Sequence, residues 1–224
     1  MFISPKTDER VWLEAHKNII LYDGGNTNTK IYYNGVVKSV PSDSNFLLPS
    51  EKFYYINVNN RLNRYFASSS YGINLENYIN LKTSYHGLGI DRKIVCKAIS
   101  DGVIVDAGSA ITVDIMHNGT HLGGFITLGL HSFEQSFANI SDSLIFDLDN
   151  NIDLSMLPQN THEALNYAVF QAVISSIKAV LKKEQKIYFC GGDGKILMSF
   201  FKNSEYRKNL VFDGMKQVIK ESGC

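Results

Sequence analysis

The sequence predicts an α/β protein built from two related halves, and three observations carry that prediction. The segments "IILYDGGNTNTKIYYNG" (Ile19 to Gly35) and "VIVDAGSAITVDIMHNG" (Val103 to Gly119) share one layout. In each, an apolar strand ends in Asp, a Gly follows two residues later, and a short polar stretch leads into a second strand closed by Asn-Gly. A long helical pattern then fills "QNTHEALNYAVFQAVISSIKAVLKK". Finally "KIYFCGGDG" (Lys186 to Gly194) reads as a buried strand running into a glycine-rich bend, so strands and helices intermix along the chain.

Each element has a local reason. Asn-Gly tolerates positive φ at both positions, which makes the two pairs hairpin turns and the two segments β-hairpins with a Gly-containing bend apiece. In "GIDRKIVCKAI", Ile90, Ile94, Val95 and Ala98 fall on one helical face, with Asp91 and Arg92 in the first turn and the helix starting at the Gly. The long helix places Leu165, Ala168, Val169, Ala172, Val173, Ser176, Ile177 and Val180 at helical spacing, and Asn160 with Glu163 suits a capping box. No low-complexity linker interrupts the chain. The expected boundary is the short connection near Ser100 to Gly102, giving halves of residues 1–100 and 101–224.

Composition narrows the function classes. The 224 residues are 44% hydrophobic and 20% charged, enough for a sizeable core. Lys plus Arg and Asp plus Glu both number 22, so the chain has no electrostatic footprint for nucleic acid or a membrane surface. Cys96, Cys190 and Cys224 lie far apart without a CxxC pair, and no secretory signal opens the chain, which predicts a reducing cytoplasm. No apolar run approaches the roughly 18 residues of a membrane span, so a soluble protein is expected. Cys96 and Cys190 sit in apolar elements and read as inert buried thiols. The aromatic run "KFYYINVNNRLNRYFASSSYG" reads as core packing or a subunit contact rather than a base-stacking surface.

The bends carry the chemistry. Gly24 and Gly25 let the backbone approach a ligand closely, while Asn26, Thr27 and Asn28 supply amide and hydroxyl donors for phosphate oxygens. Asp23 is placed to hold a metal ion or its waters. The second copy supplies Asp106, Gly108, Ser109 and Thr112, and two such bends facing each other would grip a polyphosphate. The Walker A pattern is absent, as is a G-x-G-x-x-G fingerprint. Gly, Asn, Asp and Thr are also ordinary turn residues. Asp91 serves equally as a favourable charge at a helix start, Asp106 as a strand-end cap and Thr161 as a plain first-turn residue. His117 and His121 flank a hairpin turn with no further ligand pattern, so a structural metal is not expected. Asp114 is expected on an exposed sheet face, outside the catalytic set.

Taken in order, "DGGNTNTK", "GIDR", "DAGSAITVD", "GGFITLG" and "NTHEAL" resemble type III pantothenate kinase, within the actin, sugar kinase and Hsp70 ATPase superfamily. The resemblance covers Ile19 to Gly194. It implies duplicated actin-like (ribonuclease H-like) domains with a nucleotide cleft between the halves. It also implies transfer of the ATP γ-phosphate to pantothenate, the first step of coenzyme A biosynthesis. Asp23, Gly24, Gly25, Asn26, Thr27, Asn28, Thr29 and Lys30 would form the first ATP phosphate loop, with Asp23 on Mg²⁺; Gly108 and Ser109 would contact ATP from the second. Gly89, Ile90, Asp91 and Arg92 match the pantothenate motif, with Asp91 as catalytic base and Arg92 suited to the substrate carboxylate. Asp106 matches a monovalent cation site for K⁺ or NH₄⁺, while Thr161 and Tyr85 match substrate contacts. A cytoplasmic homodimer follows from the same resemblance.

The chain departs from the family pattern at Ser109, usually Thr, and at Leu128, commonly Pro. It is short for the family, which implies trimmed loops in its second half. "MFISPKTDERVWLEAHKN" precedes the first strand, where family members begin almost at that strand. A non-catalytic regulator on the same fold, or a superfamily kinase with another small acceptor, are the competing readings.

Overall fold

The computed structural model describes residues 18–43 and 46–224, so the sequence before the first strand lies outside the described residues. The chain divides into two compact units. One contains the described residues up to Asn80 together with Leu88–Ala98 and Val211–Cys224; the other contains Leu81–Gly87 and Ile99–Leu210. The division departs from a single cut at residue 100 in two places: residues 81–87 join the second unit, and the C-terminal helix returns to the first.

The first unit is built on five strands: β1 (Ile20–Gly24), β2 (Asn28–Tyr33), β3 (Val36–Pro41), β4 (Phe53–Asn57) and β5 (Gly72–Asn74), in the order β3-β2-β1-β4-β5. The β1–β2 and β2–β3 pairs are antiparallel, whereas β1–β4 and β4–β5 are parallel. The β2–β3 turn is the predicted Asn-Gly, with Asn34 at φ 49° and Gly35 at φ 80°. The aromatic run packs inward. Tyr22, Phe46, Phe53 and Phe66 form one buried cluster, and Tyr55 stacks on Phe66 at 4.6 Å and 7°.

Three helices complete this unit: α1 (Asn63–Ala67), α2 (Ile90–Lys97) and α6 (Leu210–Ser222), all of the last but its first residue. Helix α2 buries Ile90, Ile94, Val95 and Cys96, much as the periodicity predicts. Its approach to α6 depends on Gly214, where a Cβ would stand 2.0 Å from the Ile94 carbonyl oxygen. The Lys97 ammonium and Glu221 carboxylate lie 2.5 Å apart across the same pair of helices.

The second unit repeats the strand order. Strands β7 (Gly102–Ala107), β8 (Ala110–His117), β9 (Thr120–Leu128), β10 (Ile187–Cys190) and β11 (Ser204–Tyr206) run β11-β10-β7-β8-β9, with the short β6 (Lys82–Thr83) added beyond β9. The senses match as well: β7–β8 and β8–β9 are antiparallel, and β7–β10 and β10–β11 are parallel. The second Asn-Gly turn, Asn118 at φ 48° and Gly119 at φ 70°, joins β8 to β9.

Helices α3 (Leu130–Ala138), α4 (Thr161–Val180) and α5 (Gly194–Met198) accompany this sheet. Val103, Val105, Ala107, Ile111 and Val113 pack with Val169, Phe170, Val173, Ile174 and Ile177 of α4 in one core. Leu165, Val169, Val173 and Ile177 of the predicted α4 face are buried, but the buried stripe widens toward Phe170 and Ile174 instead of toward Ala168 and Ala172. Ala168 and Ala172 are exposed while Phe170 and Ile174 are buried. The larger side chains remove more apolar area from water, so they set the face that turns inward.

Candidate functional site

The first glycine bend is held from beneath by residues remote in sequence. Asp23 is the penultimate residue of β1 and pairs in register with Lys30, whose ammonium lies 4.0 Å from its carboxylate. The Asp23 side chain is 14% exposed. Gly24 packs so tightly that a Cβ would meet Asn57 Oδ1 at 2.5 Å, so a larger residue there would have to displace the Asn57 side chain.

The Ser42 hydroxyl donates to the Gly25 carbonyl at 2.7 Å, and the Ser42 amide donates to the Thr27 carbonyl at 3.0 Å. Asn59 Nδ2 reaches the Gly25 and Asn26 carbonyls at 3.3 and 3.4 Å. Because the Ser42 proton goes to Gly25, the Thr29 hydroxyl, 3.0 Å away, is the donor in their contact. Three successive carbonyls are thus engaged by donors of the protein. Carbonyl oxygens repel phosphate oxygens, so this arrangement suits a bend that receives an anion. Asn26, Thr27 and Asn28 are exposed, whereas Thr29 is fully buried and supports the bend from below.

Helix α2 begins at Gly89, which has extended backbone and no side-chain cap. Asp91 Oδ1 accepts the Arg92 amide at 2.8 Å, and a Cβ at Gly89 would stand 2.6 Å from that oxygen. Glycine therefore leaves the room in which the Asp91 carboxylate sits. Arg92 is buried, at 4% exposure, so its guanidinium lies inside the protein behind Asp91. Ile90 is buried alongside it and anchors the turn.

The second bend repeats the first in outline. Asp106 is the penultimate residue of β7, in register with Thr112 on β8 and Cys190 on β10. Gly191, at φ 80°, crosses close above it: a Cβ there would lie 2.3 Å from the Ala107 carbonyl oxygen and 2.6 Å from Asp106 Oδ1. The Asp193 amide donates to the Ala107 carbonyl at 3.1 Å. The Ser109 carbonyl accepts from the Gly129 amide at 3.1 Å and the Ser132 hydroxyl at 2.7 Å. Gly108 and Ser109 are exposed. Leu128, where the family pattern has Pro, pairs with Ala110 at the end of β9.

Near this bend, burial raises the Asp193 carboxyl, and the hydrogen bond that the His131 imidazole donates to the Glu134 carboxylate raises His131. Thr161 opens α4 and is exposed. The cap below it is half of the expected box: Asn160 Oδ1 accepts the Glu163 amide at 2.9 Å, but Glu163 returns to the Gln159 amide at 3.1 Å instead of to Asn160.

Asp114 corrects a sequence expectation. It is fully buried, with Oδ1 2.8 Å from His121 Nε2. The other nitrogen of His121, Nδ1, lies 2.8 Å from the Thr83 hydroxyl, whose oxygen accepts the Tyr85 amide at 3.0 Å. The two histidines separate: His117 is exposed beside Asp101, 3.2 Å away. Ser42, Asn59 and His121 are the participants that sequence reasoning missed. The Asn-rich "NVNNRLN" was the one signal available for Asn59.

The family model for type III pantothenate kinase matches residues 55–183. A type III pantothenate kinase of Helicobacter hepaticus is 42% identical over 205 residues, covering 91% of this chain and 99% of the relative. One from Wolinella succinogenes is also 42% identical over 205 residues, covering 91% and 97%. These relatives are matched over almost their full length, so the short form of the chain is shared with them.

A Campylobacter jejuni crystal structure, described as a conserved Baf family transcriptional activator, superposes with a TM-score of 0.84 at 40% identity, covering 92% of this chain and 99% of that one. Component A of (R)-2-hydroxyglutaryl-CoA dehydratase from Acidaminococcus fermentans, 12% identical with a TM-score of 0.51, covers 92% and 99% and shares the fold alone, an actin-like ATPase fold of mixed α/β sheets.

Proposed function

The chain belongs to the type III pantothenate kinase family, and from that premise we propose how its bends and Asp91 divide the work of phosphoryl transfer. The activity is that of an ATP-dependent kinase that phosphorylates pantothenate in the first step of coenzyme A biosynthesis. One observation carries the assignment of residues. In each sheet the first long strand places Asp at its penultimate position, Asp23 on β1 and Asp106 on β7, and a glycine bend with engaged carbonyls follows.

The two halves act as a duplicated actin-like pair, each contributing one phosphate bend. Gly24, Gly25, Asn26, Thr27 and Asn28 present the first set of donors to ATP, Thr29 supports them, and Lys30 offsets phosphate charge. Gly108 and Ser109 contribute from the second bend. Asp91 accepts the proton of the pantothenate hydroxyl as its oxygen attacks the γ-phosphorus. Arg92 pairs with the substrate carboxylate, for which a guanidinium fork is well shaped. Gly89 and Ile90 set the turn, and Tyr85 and Thr161 line the pantothenate side.

Asp23 offers hard carboxylate oxygen with little solvent around it, a donor that fits Mg²⁺, and Asp106 offers a partly buried carboxylate oxygen for K⁺ or NH₄⁺. Mg²⁺ bound at Asp23 would neutralise phosphate charge. The family likeness also implies a homodimer. Among the described residues no helix is long and apolar enough to cross a membrane.

The regulator reading has one point in its favour, the description attached to the Campylobacter jejuni structure. The presence of Asp23 and Asp106 at the ends of the strands that lead into the two bends, and of Asp91 in the first turn of α2, favours catalysis. ATP consumption by the purified protein with Mg²⁺ and K⁺, measured with pantothenate and with a panel of sugars and short acids, decides it. Turnover with pantothenate alone is expected. No turnover with any acceptor contradicts the proposal and favours the regulator.

A further inference from the structure

We propose that the buried Asp114–His121–Thr83 chain is a positioning device that fixes the Tyr85 backbone for pantothenate binding; this rests on the reading of Tyr85 as a pantothenate-pocket residue. The strand that precedes Tyr85 is short. β6 contains two residues, pairs only with β9, and residues 84–87 beyond it are exposed. A ladder that short leaves the position of Tyr85 to side-chain contacts.

Register explains how the chain is assembled. Asp114 pairs with Gly124 and Ile115 with Gly123, but beyond a bulge at Ile115/Met116 the pairing shifts to Met116 with His121. Unshifted, His121 would oppose His117 and point to the face away from Asp114, because side chains alternate along a strand. The extra residue on β9, next to Gly123 at φ 135°, turns His121 onto the Asp114 face. A bulge that re-aims one side chain onto a buried carboxylate is the kind of irregularity found beside functional sites.

The hydrogen bonds then run in one direction. With the His121 proton on Nε2, that nitrogen donates to Asp114 and the Nδ1 lone pair accepts the Thr83 hydroxyl, the tautomer that satisfies both contacts. The Thr83 oxygen in turn accepts the Tyr85 amide. The Tyr85 ring lies 5.9 Å from the His121 ring, tilted by 56°, so backbone and ring are referred to the same histidine. Thr83 is the one link that can be cut without removing a buried charge.

Thr83→Val and Thr83→Ser provide the test, with Tyr85→Ala beside them. Both Thr83 variants keep a β-substituted residue on a two-residue edge strand, so folding is retained. Thr83→Val is expected to raise KM for pantothenate about tenfold, the equivalent of one hydrogen bond. KM for ATP should stay within about twofold, and the Tyr85 amide should exchange hydrogen at least about fivefold faster. Thr83→Ser should restore all three. An unchanged pantothenate KM in Thr83→Val, or parallel rises for both substrates, overturns the positioning role. If Tyr85→Ala leaves pantothenate KM unaltered, the pocket reading fails and takes this proposal with it. A raised KM in Tyr85→Ala with none in Thr83→Val overturns the positioning role alone.

Discussion

The Ser42 hydroxyl donates to the Gly25 carbonyl at 2.7 Å across 17 residues of sequence, tying the floor of the first glycine bend to the end of β3. That contact turns a flexible Gly-Gly pair into a fixed one. It also keeps an acceptor oxygen directed at the protein.

Ser42→Ala removes the donor and leaves the Gly25 carbonyl with Asn59 alone at 3.3 Å. Loss of one such bond at a partly buried acceptor costs about 1 to 3 kcal/mol. KM for ATP should rise about tenfold while KM for pantothenate holds, as read from steady-state kinetics with each substrate varied. Equal KM values for ATP in variant and parent would show that the bend is held without Ser42.

Gly214→Ala tests the α2–α6 packing. Alanine favours a helix over glycine by about 1 kcal/mol, but its Cβ would fall 2.0 Å from the Ile94 carbonyl oxygen, a backbone atom that cannot swing aside. Overpacking of this kind typically costs about 1 to 3 kcal/mol, and a backbone clash lies at the upper end. A net fall in Tm of roughly 4 to 8 °C is expected by calorimetry. A rise in Tm would mean that the helices separate freely.

Asp193→Asn tests a pH linkage. Burial holds the Asp193 carboxyl above its ordinary value of 3.8. A carboxyl raised on folding contributes stability that is complete below the unfolded pKa and is lost as pH rises through the folded one. The Asn variant should therefore be more stable than the parent at pH 7 to 8, by about 1 to 2 °C since the group is half-buried and screened. The two should converge near pH 3.5. Denaturation curves across that range check it, and a constant offset at every pH would refute it.

Asp23→Asn should weaken the Mg²⁺ dependence of the reaction. The amide keeps the shape of the side chain but loses the charge that a hard divalent cation favours. The Mg²⁺ concentration for half-maximal rate should rise roughly tenfold or more, a shift of about 1.4 kcal/mol. An unchanged Mg²⁺ titration would place the metal elsewhere.

Much of this organisation was legible in the sequence because local rules encode it. Asn34-Gly35 and Asn118-Gly119 adopt the left-handed backbone that their residue types favour, which fixes both hairpins. Helix α2 starts at Gly89 as its periodicity predicts. What escaped was set by partners distant in sequence. Ser42 and Asn59 reach Gly25 from 17 and 34 residues away, so no local spacing reveals them. Asp114 reads as a surface carboxylate until the β9 bulge turns His121 toward it, and a bulge leaves no periodic trace. The spine of the α4 face, Leu165, Val169, Val173 and Ile177, was legible, but its flank was not, because Ala168 and Ala172 satisfy the pattern while Phe170 and Ile174 decide the packing.

Asp91→Asn tests the account most directly, with ATP binding and phosphoryl transfer measured on the same protein by calorimetric titration and by single turnover with pantothenate. Base catalysis typically contributes about 10² to 10⁴ in rate, so the transfer rate should fall by that factor while ATP affinity stays within about twofold. A variant that phosphorylates pantothenate at the parent rate would contradict the assignment of Asp91 as the base.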